Sequence, residues 1–160
     1  MKEKEFLDQL ENRAELTRFR ILLEQYVSPD IARLLADGSE QFPEHGSIKD
    51  LVVLFADIAN FTRLVQRIEL DILAEFLKDF FKLFTTLVYR NSGTLDKFMG
   101  DGALAVFGAP VALDDPADRA LSTSKILLNQ FQPLCTKYQQ KDAAFKDISL
   151  GIGISSSKMF

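Results

Sequence analysis

Thr94-Leu95-Asp96-Lys97-Phe98-Met99-Gly100-Asp101-Gly102-Ala103-Leu104-Ala105-Val106-Phe107 reads as two short strands, 94–99 and 103–107, folded about Gly-Asp-Gly. Such a tight glycine turn between apolar runs is a strong hairpin signal. Upstream, Asn91-Ser92-Gly93 ends a helix expected over 69–90, whose Ile72, Leu73, Phe76, Leu77, Phe80, Phe84, Leu87 and Val88 form one broad apolar stripe. Before that, Leu51-Val52-Val53-Leu54-Phe55-Ala56 is a continuous apolar run ending in Asp57, the pattern of a strand buried on both faces. Asn60 is placed to cap a short turn that starts at Phe61. Downstream, Asp114-Asp115-Pro116 opens a helix over about 116–139. Its buried face is expected to carry Ala117, Ala120, Leu121, Ser124, Leu127, Phe131, Leu134 and Tyr138. Ile148, Leu150, Ile152 and Ile154 then alternate with Ser149, Gly151, Gly153 and Ser155, giving a last strand with one apolar and one nearly bare face.

The order is β–α–β–β–α–β, an α/β (α+β) ferredoxin-like core with antiparallel strand pairs and helices on one face of the sheet. In that arrangement the first and third strands are antiparallel neighbours at the sheet centre. The end of the first strand then lies beside the turn joining the second and third. Asp57 and Asp101, far apart in the chain, are therefore expected at one end of the sheet.

Ahead of this core the sequence predicts N-terminal helices. Residues 1–27 lack Gly and Pro, and Leu7, Leu10, Ala14, Thr17 and Ile21 follow heptad spacing. A helix docked on its own domain and a dimer seam both fit. Ser28-Pro29-Asp30 restarts a helix that Gly38 ends, and 38–48 reads as a linker. The expected division is 1–46, a helical signalling segment and linker, and 47–160, the domain with the chemistry.

Composition narrows that chemistry. Of the 160 residues 47% are hydrophobic, and 19 Lys+Arg against 23 Asp+Glu leave a net charge of −4. This argues against a nucleic-acid or anionic-membrane surface. The single cysteine excludes a disulfide framework and fits a reducing, cytoplasmic setting, and the single histidine argues against a histidine metal cluster or a Ser-His-Asp triad. The longest apolar runs, 51–56 and 103–113, fall short of the roughly 18–20 residues that span a bilayer. Chemistry here must use carboxylates.

Two convergent carboxylates suit a hard divalent cation held with a nucleotide triphosphate. Each also has a simpler explanation. Asp57 suits a cap for the turn at 59–62, and Asp101 suits a Gly-Asp-Gly turn. What lies around them is more specific. Phe55-Ala56-Asp57-Ile58-Ala59-Asn60-Phe61-Thr62 resembles the first metal-binding stretch of class III nucleotidyl cyclases. Asp96-Lys97-Phe98-Met99-Gly100-Asp101-Gly102, followed by Ala105-Val106-Phe107-Gly108-Ala109-Pro110, resembles their second, and Gly151-Ile152-Gly153-Ile154 lies downstream. Tyr26-Val27-Ser28-Pro29 resembles the segment that leads into this domain in multidomain bacterial cyclases, so the likeness covers 26–160.

The resemblance implies that Asp57 and Asp101 bind two Mg²⁺ or Mn²⁺ ions, assisted by the Ile58 carbonyl. It implies that backbone groups of Phe61 and Thr62 contact the triphosphate, and that Lys97 contacts the purine edge. Adenylyl cyclases carry a lysine at that position and guanylyl cyclases usually glutamate, so Lys97 implies ATP; a solvated strand lysine is the plainer alternative. Family sites are shared across a head-to-tail dimer, with the aspartates from one protomer and the purine-reading residues from the other. The parent enzyme is expected to convert ATP to cyclic AMP and pyrophosphate under an upstream or separate regulatory domain.

Asn60 and Ser157 stand where family members commonly have Gly, and Ser157 is expected in the loop after the last strand. The family's second purine-contacting residue and its Asn and Arg, which lie beyond the Gly-Ile-Gly-Ile strand, have no counterpart in residues 1–160. The domain is therefore expected to be truncated at its C-terminus and the chain itself inactive, with a dimer that truncation can alter. A non-catalytic dimerisation or nucleotide-binding module is the alternative. A diguanylate cyclase fits poorly, because Met99-Gly100-Asp101-Gly102-Ala103 lacks that family's Gly-Gly-Asp/Glu-Glu-Phe.

Overall fold

In the computed structural model, four strands form one antiparallel sheet in the order β2-β3-β1-β4. The structure describes residues 49–159, within a compact unit of the chain spanning Ile48–Phe160. The helices expected over 1–37, the linker and the boundary near residue 47 lie outside the described residues. Strand β1 (Lys49–Ala59) is followed by the short helix α1 (Phe61–Val65) and the long helix α2 (Leu70–Arg90). The hairpin β2 (Thr94–Met99) and β3 (Gly102–Phe107) leads to helix α3 (Pro116–Gln139), a 3-10 turn at Ala143–Lys146, and strand β4 (Ser149–Met159).

The helices cover one face of the sheet. Val52, Leu54, Ala56 and Ile58 of β1 and Ala103, Ala105 and Phe107 of β3 are buried against them. From α2 come Leu73, Phe76, Phe80, Phe84, Leu87 and Val88, spaced at three and four residues so that one helical face meets the sheet. From α3 come Ala120, Leu127, Phe131, Cys135 and Tyr138. Phe76 sits at the centre, its ring centroid 5.3 Å from Tyr138, 4.9 Å from Phe145 and 6.3 Å from Phe131. Each buried aromatic of this kind contributes roughly 1.5–3 kcal/mol from area alone.

Three sequence expectations change. The β1 run is buried on one face only: Leu51, Val53 and Phe55 are half-buried and Asp57 is exposed, because both long helices lie on the other side. On α3, Ala117 and Leu121 are exposed, whereas Thr123 is buried beside the expected Ser124, each satisfied by a hydroxyl bond to a backbone carbonyl of its own helix. Ser157 lies within β4 opposite Leu51, since β4 runs four residues past Ser155 and pairs with the whole of β1. A hydroxyl bonded to the backbone fits a helix interior, so hydrophobicity alone misplaces that face by a fraction of a turn.

Candidate active site

Asp57 and Asp101 meet at one end of the sheet. Strand β1 runs antiparallel to β3 with Ala56 opposite Ala103, which brings the next residue, Asp57, beside the start of β3. Asp101 is the second residue of the two-residue turn between Met99 and Gly102. Gly100 takes the first turn position with φ +63°, a conformation open to glycine at little cost.

Gly102 makes the close approach possible. A Cβ there would lie 3.1 Å from Asp57 Oδ1 and 3.1 Å from the Phe55 ring. On its other side Asp57 faces Gly151 of β4. Its carboxylate therefore stands on a sheet row with no neighbouring side chains, which is why it remains exposed. Asp101 is half-buried, and burial pushes its carboxyl above the usual carboxylate range, with the charge of Asp57 adding to the effect. The first turn of α1 has no side-chain cap, so Asp57 does not serve as one.

The remaining residues singled out from the sequence are placed as follows. The Ile58 side chain is buried in the core, and its backbone lies within β1 opposite Leu150 of β4. Phe61 is half-buried and Thr62 exposed at the start of α1, directly after Asn60. Asn60 adopts φ 65° and its amide donates to the Asp147 carbonyl at 2.9 Å, so the left-handed turn is tied to the loop before β4. Lys97 is not beside the aspartates. It lies on edge strand β2 opposite Leu104, which is itself opposite Phe55, two strand spacings or roughly 10 Å across the sheet. Its side chain is 59% exposed and shares the helix-free face with Phe55, Leu104 and Asp57.

The two carboxylates suit a hard divalent cation by donor type and charge. On the β4 side a Cβ at Gly151 would meet only the Asp57 carbonyl, at 3.7 Å, and one at Gly153 nothing within 4 Å, so that side of Asp57 is open. Among the described residues no three His, Cys, Asp or Glu side chains cluster to hold a metal. A cation at Asp57 and Asp101 would therefore complete its shell with backbone carbonyls, water or a ligand's own oxygens. Sequence reasoning missed two contributors, Gly102 as the spacer and Phe55 as the ring packed against it. A glycine directly after the turn acid was the available signal.

The neighbouring surface carries a cleft of about 360 Å³ lined by Asn60, Arg63, Leu64, Arg67, Asp147 and Ile148. Arg119, by contrast, is bound in structure, donating to Asp115 at 2.6 Å and to Ser92 Oγ at 3.2 Å.

Comparison with known proteins agrees with this geometry. Residues 44–160 match the adenylate and guanylate cyclase catalytic domain. The chain belongs to that family. An uncharacterized protein of Mycobacterium tuberculosis is 29% identical over 146 residues, 91% of this chain and 25% of that protein. The chain thus spans about a quarter of the length of the curated relatives it matches. Among solved structures, the guanylyl cyclase Cya2 is similar at 25% identity and a TM-score of 0.64, covering 71% of this chain and 56% of that one. The adenylyl cyclase CyaB from P. aeruginosa shares the fold at 24% identity and a TM-score of 0.65, covering 70% and 58%. The protein is thus of the adenylyl/guanylyl cyclase type, a family that generally uses divalent metal ions, and its neighbours include cyclases of both base specificities. No helix among the described residues is long and apolar enough to cross a membrane.

Proposed function

We propose that this domain belongs to an adenylyl cyclase that converts ATP to 3′,5′-cyclic AMP and pyrophosphate. The observation that carries the reading is the convergence of Asp57 and Asp101 across the β1–β3 pair, with a glycine between their backbones. Two Mg²⁺ or Mn²⁺ ions, when bound, supply activation of the ribose 3′-hydroxyl and neutralisation of phosphate charge. Asp57 and Asp101 hold that charge at the sheet end, with the Ile58 carbonyl as a further oxygen donor. Backbone amides of Phe61 and Thr62 orient the triphosphate. Lys97 donates to adenine N1, a site where guanine presents an N–H and calls for an acceptor.

Because Lys97 is two strands away from the aspartates of its own chain, it serves the site of a second copy. The half-buried residues Leu51, Val53, Phe55, Leu104 and Val106 support this, since an apolar run on a helix-free face favours a partner. A head-to-tail homodimer is therefore part of the reading, as are a cytoplasmic location and a regulatory domain elsewhere in the parent protein. Residues 1–160 carry no counterpart of the family's Asn–Arg pair, so the chain alone is proposed to bind nucleotide with little turnover.

Calorimetry with a non-cyclisable ATP analogue and Mn²⁺ tests the first step. Binding that Asp57→Asn and Asp101→Asn each abolish is expected. Binding indifferent to both substitutions would sink the assignment of the site, and robust cyclic AMP formation by residues 1–160 would sink the claim of low turnover.

A further inference from the structure

Strand β1 is not held equally along its length. Its pairing with β3 ends at Ala56, opposite Ala103, whereas its pairing with β4 continues to Ala59, opposite Ser149. Asp57, Ile58 and Ala59 therefore form an overhang that is paired on the β4 side only, and Asp57 stands on it. Such an overhang opens more readily than a strand flanked on both sides, unless its end is fixed.

Asn60 fixes that end. Its side-chain amide crosses to the Asp147 carbonyl at 2.9 Å, 87 positions away in the chain. The acceptor stands on a well-anchored turn. Asp142 Oδ1 takes the Ala144 N–H at 2.8 Å, and the Asp147 N–H donates to the Ala144 carbonyl at 3.2 Å. Phe145, between them, is fully buried with its ring 4.9 Å from Phe76. A further contact of this loop, Arg67 Nη1 to Asp147 Oδ2 at 3.7 Å, joins two exposed side chains and holds little.

The residue type fits this task better than the one its position suggests. Asparagine before a helix ordinarily accepts an N–H of the first turn, yet α1 receives no side-chain bond from Asn60. Its φ of 65° and ψ of 16° are left-handed, a conformation that glycine takes freely and asparagine tolerates better than most residues. Glycine there would keep the turn and lose the bond to Asp147.

We propose that Asn60 is a positioning residue for the metal–nucleotide site: by clamping the end of the β1 overhang to the Asp147 carbonyl, it holds Asp57 in place for the ion. This rests on the reading of Asp57 and Asp101 as the metal ligands, and the experiment separates the two.

The 160-residue chain is titrated by calorimetry with a non-cyclisable ATP analogue and Mn²⁺ at about 0.15 M salt, as wild type, Asn60→Gly, Asn60→Asp and Arg67→Ala. Amide hydrogen exchange and thermal melts are followed on the same chains. Asn60→Gly keeps the left-handed turn without the donor. Asn60→Asp keeps size and turn, but its carboxylate only accepts; its charge, three residues or roughly 10 Å of strand from Asp57, is about one Debye length away. Both variants are expected to weaken binding about fivefold, as when an overhang is competent a fifth of the time and within what one hydrogen bond controls. Exchange is expected to quicken across residues 57–62. Arg67→Ala is expected to stay within about twofold of wild type. A bond that served stability alone would move the melt and leave the affinity of the folded chain unchanged.

Wild-type affinity in Asn60→Gly or Asn60→Asp overturns the proposal. So does an equal loss in Arg67→Ala, which would assign the effect to the loop's contacts at large, or a loss without faster exchange at 57–62. Absence of nucleotide binding by the wild type overturns the reading of the site and this inference with it, while the exchange comparison still reports the clamp. Should one Asn60 variant lose its cooperative melt, the other decides.

Discussion

Asp101 carries an electrostatic penalty that its neighbour Asp57 increases. Burial and that adjacent charge raise its carboxyl above the ordinary value of 3.8. An acid with a raised folded-state value costs stability while ionised, and the cost is relieved as pH falls through that value. Asp101→Asn should therefore raise the melting temperature of the metal-free chain at neutral pH while abolishing Mn²⁺ binding, a pairing that thermal melts and calorimetry check together. Gly102 is as sharply constrained. A methyl group 3.1 Å from Asp57 Oδ1 and from the Phe55 ring forces one of them to move. Gly102→Ala should weaken Mn²⁺ binding roughly tenfold, about what one well-placed charged contact is worth, with secondary structure unchanged by circular dichroism. Both positions were half legible in the sequence. The turn chemistry of Gly100-Asp101-Gly102 is local, but that Gly102 spaces Asp57 depends on which strand pairs with β3.

At the scale of elements, two joints hold the helices to the sheet. Gly93 closes the turn between α2 and β2, where its N–H donates to the Val88 carbonyl at 2.9 Å. A Cβ there would lie 2.6 Å from Phe107 Cε1 and 2.9 Å from Val88 Cγ1, both on buried residues. Gly93→Ala should cost about 1–3 kcal/mol by overpacking, read from urea denaturation. The second joint straps α2 to α3. Asp79 accepts from Lys137 Nζ at 2.7 Å and from the buried Tyr138 hydroxyl at 2.8 Å, and these bonds hold its carboxyl below 3.8. For an acid lowered on folding, the stabilisation is present above 3.8 and lost as pH falls through the folded-state value. Asp79→Asn should thus cost about 1 kcal/mol at neutral pH, discounted for solvent access, and the two chains should converge in strong acid. The helix and strand spans were readable because their periodicities lie within the segment. The strap was not, since nothing in the sequence around Asp79 announces a tyrosine on another helix.

For the molecule as a whole, the uneven covering of the sheet is the main consequence of topology. Helices shield one face, while Val53, Phe55, Leu104 and Val106 are left half-buried on the other. If that face receives a second copy, Val53→Glu should convert a dimer to a monomer in sedimentation velocity, with the helical signal retained. An unchanged sedimentation coefficient would place the dimer contact elsewhere. The sequence by itself determined the order of strands and helices, the hairpin about Asp101, and the meeting of the two carboxylates, because periodicity, turn chemistry and connection rules are written in neighbouring residues. Only the tertiary structure decided that β1 is covered on one side, that Leu121 faces outward, and that the pairing of β2 with β3 is broken between Leu95 and Lys97. Side-chain alternation assigns faces only while register is unbroken, and register is a property of two strands together.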